Sequence, residues 1–501
     1  MSALVNLADN SSVYEVAKVS PLSIAVQLSK RLENQVYLKR EDDQIIHSFK
    51  LRGAYQKMSS MTDEEKNKGV IASSAGNHAQ GVALGASRLN IKAIIVMPTS
   101  TPKIKVQAVQ QLGAEVILHG DVYDDAFQYA KELVAEKDLC FISPYDDFDV
   151  IAGQATVAKE ILSQLDKIDF VFSPVGGGGL ISGMASYIKH YAPHIKVIGV
   201  EPIDSPTLYK ALEANERVIL DDVGRFADGV AVKQIGALPF EIAKEAVDDV
   251  VLVSNDEMCA AIKDIYEDVR SVSEPAGALA TAGVKKYILE HNLKNKNIVS
   301  IVSGSNVNFD RLRYIAERAD LGELNEAIIA VTIPEEPGSF LRFCELLDNT
   351  SITEFNYRFS AKKDAHIFVG IKLTNGESEK QKLIKRLGKS FEVIDMSDNS
   401  MAKTHIRYMV GGHANAENEV IYRFEFPERP GALLNFLKKV KSKWNISLFH
   451  YRNHGADFGR VLIGLQVDDV SELEVRFDEL GYFYKNETDN KAYQYLSLIH
   501  I

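Results

Sequence analysis

One lysine, two glycine-bearing turns and a serine at the end of an apolar run carry the chemistry legible in this chain. In SFKLRGAY (Ser48–Tyr55), Lys50 lies between Phe49 and Leu51, a few residues after the polar run KREDD (39–43). A free lysine ionises near ~10.4, so an amine that attacks a carbonyl must be desolvated or set beside another cation. The apolar flanks offer desolvation, although a surface lysine at a helix start fits the octapeptide as well. SSAGNHAQG (Ser73–Gly81) follows an apolar run and gathers small residues with hydroxyl and amide groups. Such a turn at a helix N-terminus suits a carboxylate or phosphate, because the first N–H groups of the helix are free. An ordinary helix cap needs fewer of these residues.

The third segment is SPVGGGGLISG (Ser173–Gly183), with Gly176–Gly179 consecutive. Four glycines in a strand or helix interior cost about 0.5–1 kcal/mol each relative to alanine. They suit a turn in which backbone amides converge on phosphate oxygens. No Lys-Ser/Thr pair follows, which excludes a P-loop, and a dinucleotide fingerprint belongs after the first strand rather than here. A short phosphate monoester fits four glycines better than a pyrophosphate. Last, VSGSNVN (302–308) ends another apolar run and puts Ser303 at its carboxyl end. An amine, a carboxylate turn, a glycine nest for a monophosphate and a terminal hydroxyl together describe a site for pyridoxal phosphate. In such a site the cofactor is the electron sink and the protein supplies binding and orientation.

These segments need a scaffold. From about residue 70 to 305, short β-branched runs alternate with amphipathic stretches. The pattern predicts strands at Val70–Ala72, Lys92–Met97, Glu115–Leu118, Phe170–Phe172, Lys196–Val200, Val250–Val253 and Ile298–Val302. Between them it predicts helices such as Asn77–Leu89, Lys103–Leu112, Asp121–Glu136 and Asp256–Arg270. Strand–helix alternation of this kind builds a parallel sheet covered on both faces. Ligands of such sheets lie beyond the carboxyl ends of the strands, and three of the four segments fall there.

The last third is a repeat. IPEEPGSFLRF (333–343) matches FPERPGALLNF (426–436), and ITEFNYRF (352–359) matches ISLFHYRN (446–453). Gly338 pairs with Gly431 and Tyr357 with Tyr451, a register held with one inserted residue. Each copy reads strand, Pro-Gly turn, helix, strand, strand, the opening of a split βαβ unit on an antiparallel sheet. Neither contains a nucleophile–base set. A pair of ligand-sensing modules and a pair of structural or dimerisation modules both fit.

Composition narrows the rest. The chain has 501 residues, a formal charge of −12 and three cysteines, none in CxxC spacing. Broad nucleic-acid or membrane-surface binding is disfavoured by the charge, and a disulfide framework by the cysteines. The opening MSALVNLADNSSVYEVAK has no sustained apolar stretch of a signal peptide, and apolar runs such as Ile91–Met97 fall far short of the ~20 residues of a membrane helix. A soluble, cytoplasmic protein is expected.

In chain order, SPLSIA (20–25), SFKLRGAY, SSAGNHAQG, PVGGGGL, FADGVAV (226–232), SEPAGA (273–278) and SGSNVNF (303–309) resemble a fold-type II pyridoxal phosphate enzyme. With the doubled carboxy-terminal module, the chain resembles specifically the biosynthetic threonine dehydratase (threonine ammonia-lyase) family, departing from it in small ways such as SPL for TPL and SGSN for SGAN. The resemblance implies an α/β catalytic domain of two lobes over residues 1–322, then two ACT-like α+β modules at 326–400 and 418–498. It implies that Lys50 holds the cofactor and acts as base at the substrate Cα, and that Asn77 bonds the ring hydroxyl. Gly176, Gly177, Gly178, Gly179 and Leu180 would give amides to the phosphate, and Ser303 would face the pyridine nitrogen. Ser73, Ser74, Ala75 and Gly76 would hold the substrate carboxylate, and Glu201 in GVEP would lie at a cation site.

The implied reaction converts L-threonine to 2-oxobutanoate and ammonia, with L-serine slower, in a homotetramer inhibited by isoleucine and relieved by valine. In the repeats, the Pro-Gly turns suit an amino acid's carboxylate. The segments around Tyr357 and Tyr451 offer aromatic walls for a branched side chain, with packing between the modules as the other reading. Two alternatives are a serine dehydratase or racemase-type enzyme and a non-catalytic amino-acid sensor.

Overall fold

The computed structural model describes residues 1–490 except 100, 121–122, 225, 310, 324, 335, 337, 348–349, 359–363, 400–401, 403–417, 428–433, 435, 439–443 and 453–457. The chain divides into two compact units, Met1–Gly322 and Glu323–Ile501.

The first unit contains β1 (Leu22–Ile24), β2 (Gln35–Arg40), β3 (Val70–Ser73), β4 (Ala93–Met97), β5 (Glu115–Leu118), β6 (Cys140–Phe141), β7 (Phe170–Pro174), β8 (Lys196–Pro202), β9 (Asp249–Val253) and β10 (Asn297–Val302). They form two sheets rather than one. A four-stranded parallel sheet has the order β5-β4-β3-β6, and a six-stranded sheet the order β1-β2-β10-β7-β8-β9. In the larger sheet only the β1·β2 pair is antiparallel. Residues of β3 and β4 are buried throughout, as expected for strands covered on both faces. On one side of the larger sheet, Ile151, Ala155, Met184 and Ile188 pack with Val171 and Val299. On the other, Met258, Ile262, Leu279 and Ala282 pack with Phe172 and Ile298. The helix Pro275–His291 buries small residues over most of its length, and a Cβ at Gly283 would fall 2.4 Å from Val200.

The helix Lys50–Ser60 is wedged into this frame. It crosses the helix Phe148–Gln164 at Gly53 and Gly153, where a Cβ on Gly153 would lie 2.6 Å from the Arg52 carbonyl oxygen. A buried ion network ties the crossing together. The Arg52 guanidinium donates to both oxygens of Glu41 at 2.8 Å and to Glu160 at 2.7 Å, while Lys39 Nζ donates to the other Glu160 oxygen at 2.6 Å. Arg52, Lys39 and Glu41 are fully buried and Glu160 nearly so. Removing one partner of a buried pair leaves an uncompensated charge, at about 3–5 kcal/mol. Arg52→Met is therefore expected to lower the urea midpoint of the first unit strongly. An unchanged midpoint would show that the network does not anchor this helix.

The second unit contains β11 (Glu326–Pro334), β12 (Ile352–Arg358), β13 (Asp364–Lys372), β14 (Glu392–Asp395), β15 (Glu419–Pro427), β16 (Asn445–Arg452), β17 (Phe458–Gln466) and β18 (Phe483–Asn486). Helices Ser339–Leu346, Gly376–Leu387 and Val470–Leu480 accompany them. The two repeats share one eight-stranded sheet, in the order β14-β11-β13-β12-β16-β17-β15-β18. Their seam is the antiparallel pair β12·β16, in which Phe355 faces Tyr451 and Tyr357 faces Phe449. At the first Pro-Gly turn Gly338 has φ +92°, which a glycine adopts without strain. Gly431 of the second turn lies outside the described residues.

Candidate active site

Lys50 opens its helix beside the carboxyl end of β10. Ser48 pairs with Gly304, and the Phe49 N–H donates to the Ser303 carbonyl at 3.3 Å. The Lys50 Nζ donates to the Pro144 carbonyl at 3.0 Å. Burial pulls its pKa down to about 8, with Glu274 opposing the shift. His78 is buried nearby, its Nε2 2.9 Å from the Ile142 carbonyl. Burial and the Lys50 charge hold its pKa down at about 3, so this imidazole is neutral and its N–H donates.

The Ser73–Gly76 turn joins β3 to the helix Asn77–Arg88. That helix meets the lysine helix closely, because a Cβ on Gly81 would fall 3.0 Å from the Lys50 carbonyl. The Ser74 Oγ accepts from the Gly76 N–H at 3.2 Å, but the buried Ser73 Oγ has no partner among the described residues. A buried hydroxyl left unpaired costs free energy that a bound polar ligand recovers.

Gly176–Gly179 links β7 to the helix Gly179–Tyr191, with Gly178 at φ +90° and Leu180 in the first turn. The absence of side chains is a steric need. A Cβ on Gly177 would fall 2.2 Å from the Tyr145 ring, and one on Gly176 2.8 Å from the Val230 Cα. The segment Pro144–Tyr145 thus touches both the lysine amine and the glycine turn. Ser303, at the end of β10, donates from Oγ to the Ala276 carbonyl at 3.2 Å. Asn77 donates from Nδ2 to Glu274 at 2.6 Å and accepts from Asn306 Nδ2 at 2.6 Å.

Lys50, the Ser73–Gly76 and Gly176–Gly179 turns, Asn77 and Ser303 are thus linked through Pro144–Tyr145, Gly304 and Glu274. Sequence reading did not single out Pro144, Tyr145 or Asn306 and met Glu274 only inside a family motif. The SPYDD turn after β6 is the same kind of signal as the turns after β3 and β7. An orphaned hydroxyl, a four-glycine turn whose backbone amides open a helix, and an amine of lowered pKa all fit pyridoxal phosphate.

Comparison with known proteins gives the same class. Residues 15–304 match the family of pyridoxal-phosphate dependent enzymes, and residues 317–406 and 410–496 match the C-terminal regulatory domain of threonine dehydratase. Fold and site are those of a fold-type II pyridoxal phosphate enzyme. The chain is 52% identical to the biosynthetic L-threonine dehydratase IlvA of Pasteurella multocida, covering 97% of this chain and 96% of the relative. Against IlvA of Escherichia coli it is 53% identical, covering 96% and 95%. The solved threonine deaminase isoform 2 of Solanum lycopersicum, in its processed form, is 49% identical with a TM-score of 0.63, covering 64% of this chain and 88% of that one. The chain belongs to the biosynthetic threonine dehydratase family.

The structure places Glu201 at the end of β8, beside a helix start. Glu201 is fully buried and both its oxygens cap the helix Thr207–Ala214: Oε1 accepts from Thr207 Oγ1 at 2.9 Å and the Leu208 N–H at 2.8 Å, and Oε2 from the Tyr209 N–H at 2.9 Å. Among the described residues, no three His, Cys, Asp or Glu gather where they could hold a metal. Burial also lifts the Glu201 pKa to about 7, which favours the neutral acid. These contacts make Glu201 a cap of that helix. No helix among the described residues is long and apolar enough to cross a membrane.

At the seam of the second unit, Phe355 and Phe449 have no exposed surface, whereas Tyr357 and Tyr451 each keep 8%. The two phenylalanine rings meet edge to face at 5.4 Å, and Phe340 lies 5.3 Å from Phe449. Tyr357 and Tyr451 belong to the same buried core, and the Tyr357 ring stacks on Phe340 at 6.4 Å.

Proposed function

We propose that this chain is a cytoplasmic, homotetrameric threonine dehydratase that converts L-threonine to 2-oxobutanoate and ammonia, with L-serine a slower substrate, isoleucine as inhibitor and valine relieving the inhibition. The observation that carries the catalytic reading is Lys50, with its lowered pKa, held within one side chain's reach of the Pro144–Tyr145 segment that also braces the glycine turn.

When bound, pyridoxal phosphate supplies the electron sink that lets the Cα–H and Cβ–O bonds of the substrate break. The protein does the rest. The Lys50 Nζ would hold the cofactor and, when free, would be the base for the substrate Cα proton. Amides of Gly176–Leu180 hold the phosphate at a helix N-terminus. Asn77 would hold the ring hydroxyl, and the Ser303 hydroxyl would face the pyridine nitrogen. A neutral hydroxyl there does not stabilise a charged ring as a carboxylate would, which favours rapid loss of the β-substituent. The Ser73–Gly76 turn, with the unpaired Ser73 hydroxyl, receives the substrate carboxylate. The two repeats bind the effectors, with Tyr357 and Tyr451 as ligand-facing walls.

The test is a direct assay of 2-oxobutanoate. L-threonine is expected to be turned over with kcat/KM about 10–200-fold above that for L-serine, the worth of one methyl group, and isoleucine is expected to suppress the rate. Equal use of serine with formation of D-serine would favour the racemase-type reading. No turnover of either would leave an amino-acid sensor.

A further inference from the structure

Glu274 precedes the helix Pro275–His291 and is 6% exposed. Its backbone N–H and the Ser273 hydroxyl both donate to the Gly304 carbonyl, at 3.2 and 3.0 Å. The Glu274 Oε1 accepts from Asn77 Nδ2 at 2.6 Å. This contact depends on Gly304, where a Cβ would fall 2.5 Å from that oxygen and 3.2 Å from Asn77 Nδ2.

Asn77 is held from its other end too. Its Oδ1 accepts from Asn306 Nδ2, which also donates to the Ile46 carbonyl at 2.8 Å. A carboxamide has one carbonyl and two N–H groups. With the carbonyl taken by Asn306 and one N–H by Glu274, a flip would set two donors and two acceptors face to face. The amide is thereby locked, with one N–H left uncommitted.

We infer that Glu274 is a positioning residue of the reaction: it fixes the Asn77 amide so that the uncommitted N–H meets the ring hydroxyl of the cofactor. The inference rests on the reading of this site as one for pyridoxal phosphate. Four charged side chains act on Glu274: Lys50 from the lysine helix, Asp228 from the FADG turn, Lys105 from the helix Lys103–Gln111 and Arg311 from the helix Arg311–Gly322. Asp228 is itself paired with Lys105 at 3.3 Å and Arg311 at 3.5 Å. Burial, with Asp228 adding, lifts the Glu274 pKa to about 7. Protonation at that pH leaves an acceptor for Asn77 but removes the charge.

The full-length holoenzyme with Glu274→Ala and Glu274→Gln tests this by two readouts other than turnover: the apparent dissociation constant for pyridoxal phosphate and the pH dependence of its visible band. Glu274→Ala is expected to weaken cofactor binding about tenfold, the worth of one charge-assisted hydrogen bond, and to shift the band's pH midpoint. Glu274→Gln, which keeps an acceptor for Asn77, is expected to recover most of the affinity while the midpoint stays displaced. If both variants keep the wild-type dissociation constant and midpoint, the inference is overturned, as it is if only thermal stability falls. A wild-type protein that binds the cofactor but does not consume threonine would sink the proposed substrate and leave this test intact.

Discussion

Lys50→Ala is expected to cut 2-oxobutanoate formation by at least ~10,000-fold, ~5 kcal/mol of barrier, and to abolish the visible band of the bound cofactor. Two roles are lost at once, the covalent tether and the base at Cα. The fold is expected to survive, because Lys50 makes its one side-chain hydrogen bond to the Pro144 carbonyl and takes no part in the ion network of Arg52. Its burial holds back ionisation, so removing the amine relieves a strain and the thermal midpoint does not fall. The same shift predicts a pH dependence. The neutral amine is the nucleophile, and with a pKa of about 8 roughly one-tenth of it is neutral at pH 7, against fewer than about one in a thousand for an ordinary lysine. Capture of pyridoxal phosphate by the apoprotein should therefore accelerate as pH rises through about 8 and level off above it. Retained turnover in Lys50→Ala, or a capture rate still climbing steeply near pH 10, would contradict this.

What the sequence disclosed and what it hid follow from the range of the interactions. Strands β3, β4, β5, β7, β8, β9 and β10 lie within two residues of their expected positions at each end, because buried parallel strands are continuous apolar runs. The turns after β3 and β7 stand out because their residue types are poor choices for an ordinary turn, whereas the one after β10 reads alone as a helix cap and gains meaning only beside them. β2 did not stand out. It pairs with β10, joining Gln35 to Asn297 across most of the unit, and nothing local marks that partnership. The division into two sheets was equally silent, since alternation reports strands but not their neighbours. Glu274 carries no signal of its own in the sequence beyond the SEPAGA motif and earns its place only through Asn77, 197 positions away. Glu201 shows the opposite case. A remote likeness suggested a cation, while the local contacts with Thr207, Leu208 and Tyr209 make it the cap. The repeat was legible, but its fusion through β12·β16 was not.

A chain ending at Gly322 is expected to turn over L-threonine and to ignore isoleucine altogether. The first unit has its own cores, built entirely from residues before 322. The core of the second unit is likewise drawn wholly from residues 329–477. An effector changes a rate only through unequal affinity for two states of the protein, so on the proposed reading deletion of the second unit removes the response rather than weakening it. Isoleucine sensitivity retained by the truncated chain would place the sensor inside residues 1–322. Full-length tyrosine variants locate the binding within the second unit and do not depend on the fragment folding. Tyr357 and Tyr451 are buried members of the seam's core, so the thermal midpoint of each variant is measured beside its response to isoleucine. Tyr357→Ala and Tyr451→Ala are each expected to raise the isoleucine concentration for half-inhibition about tenfold, ~1.4 kcal/mol, with little change in KM for threonine. The antiparallel pairing of Tyr357 with Phe449 and of Phe355 with Tyr451 relates the two tyrosines by a local two-fold. If the two variants instead alter only stability, the tyrosines belong to the packing of the seam and the effectors bind elsewhere in the unit.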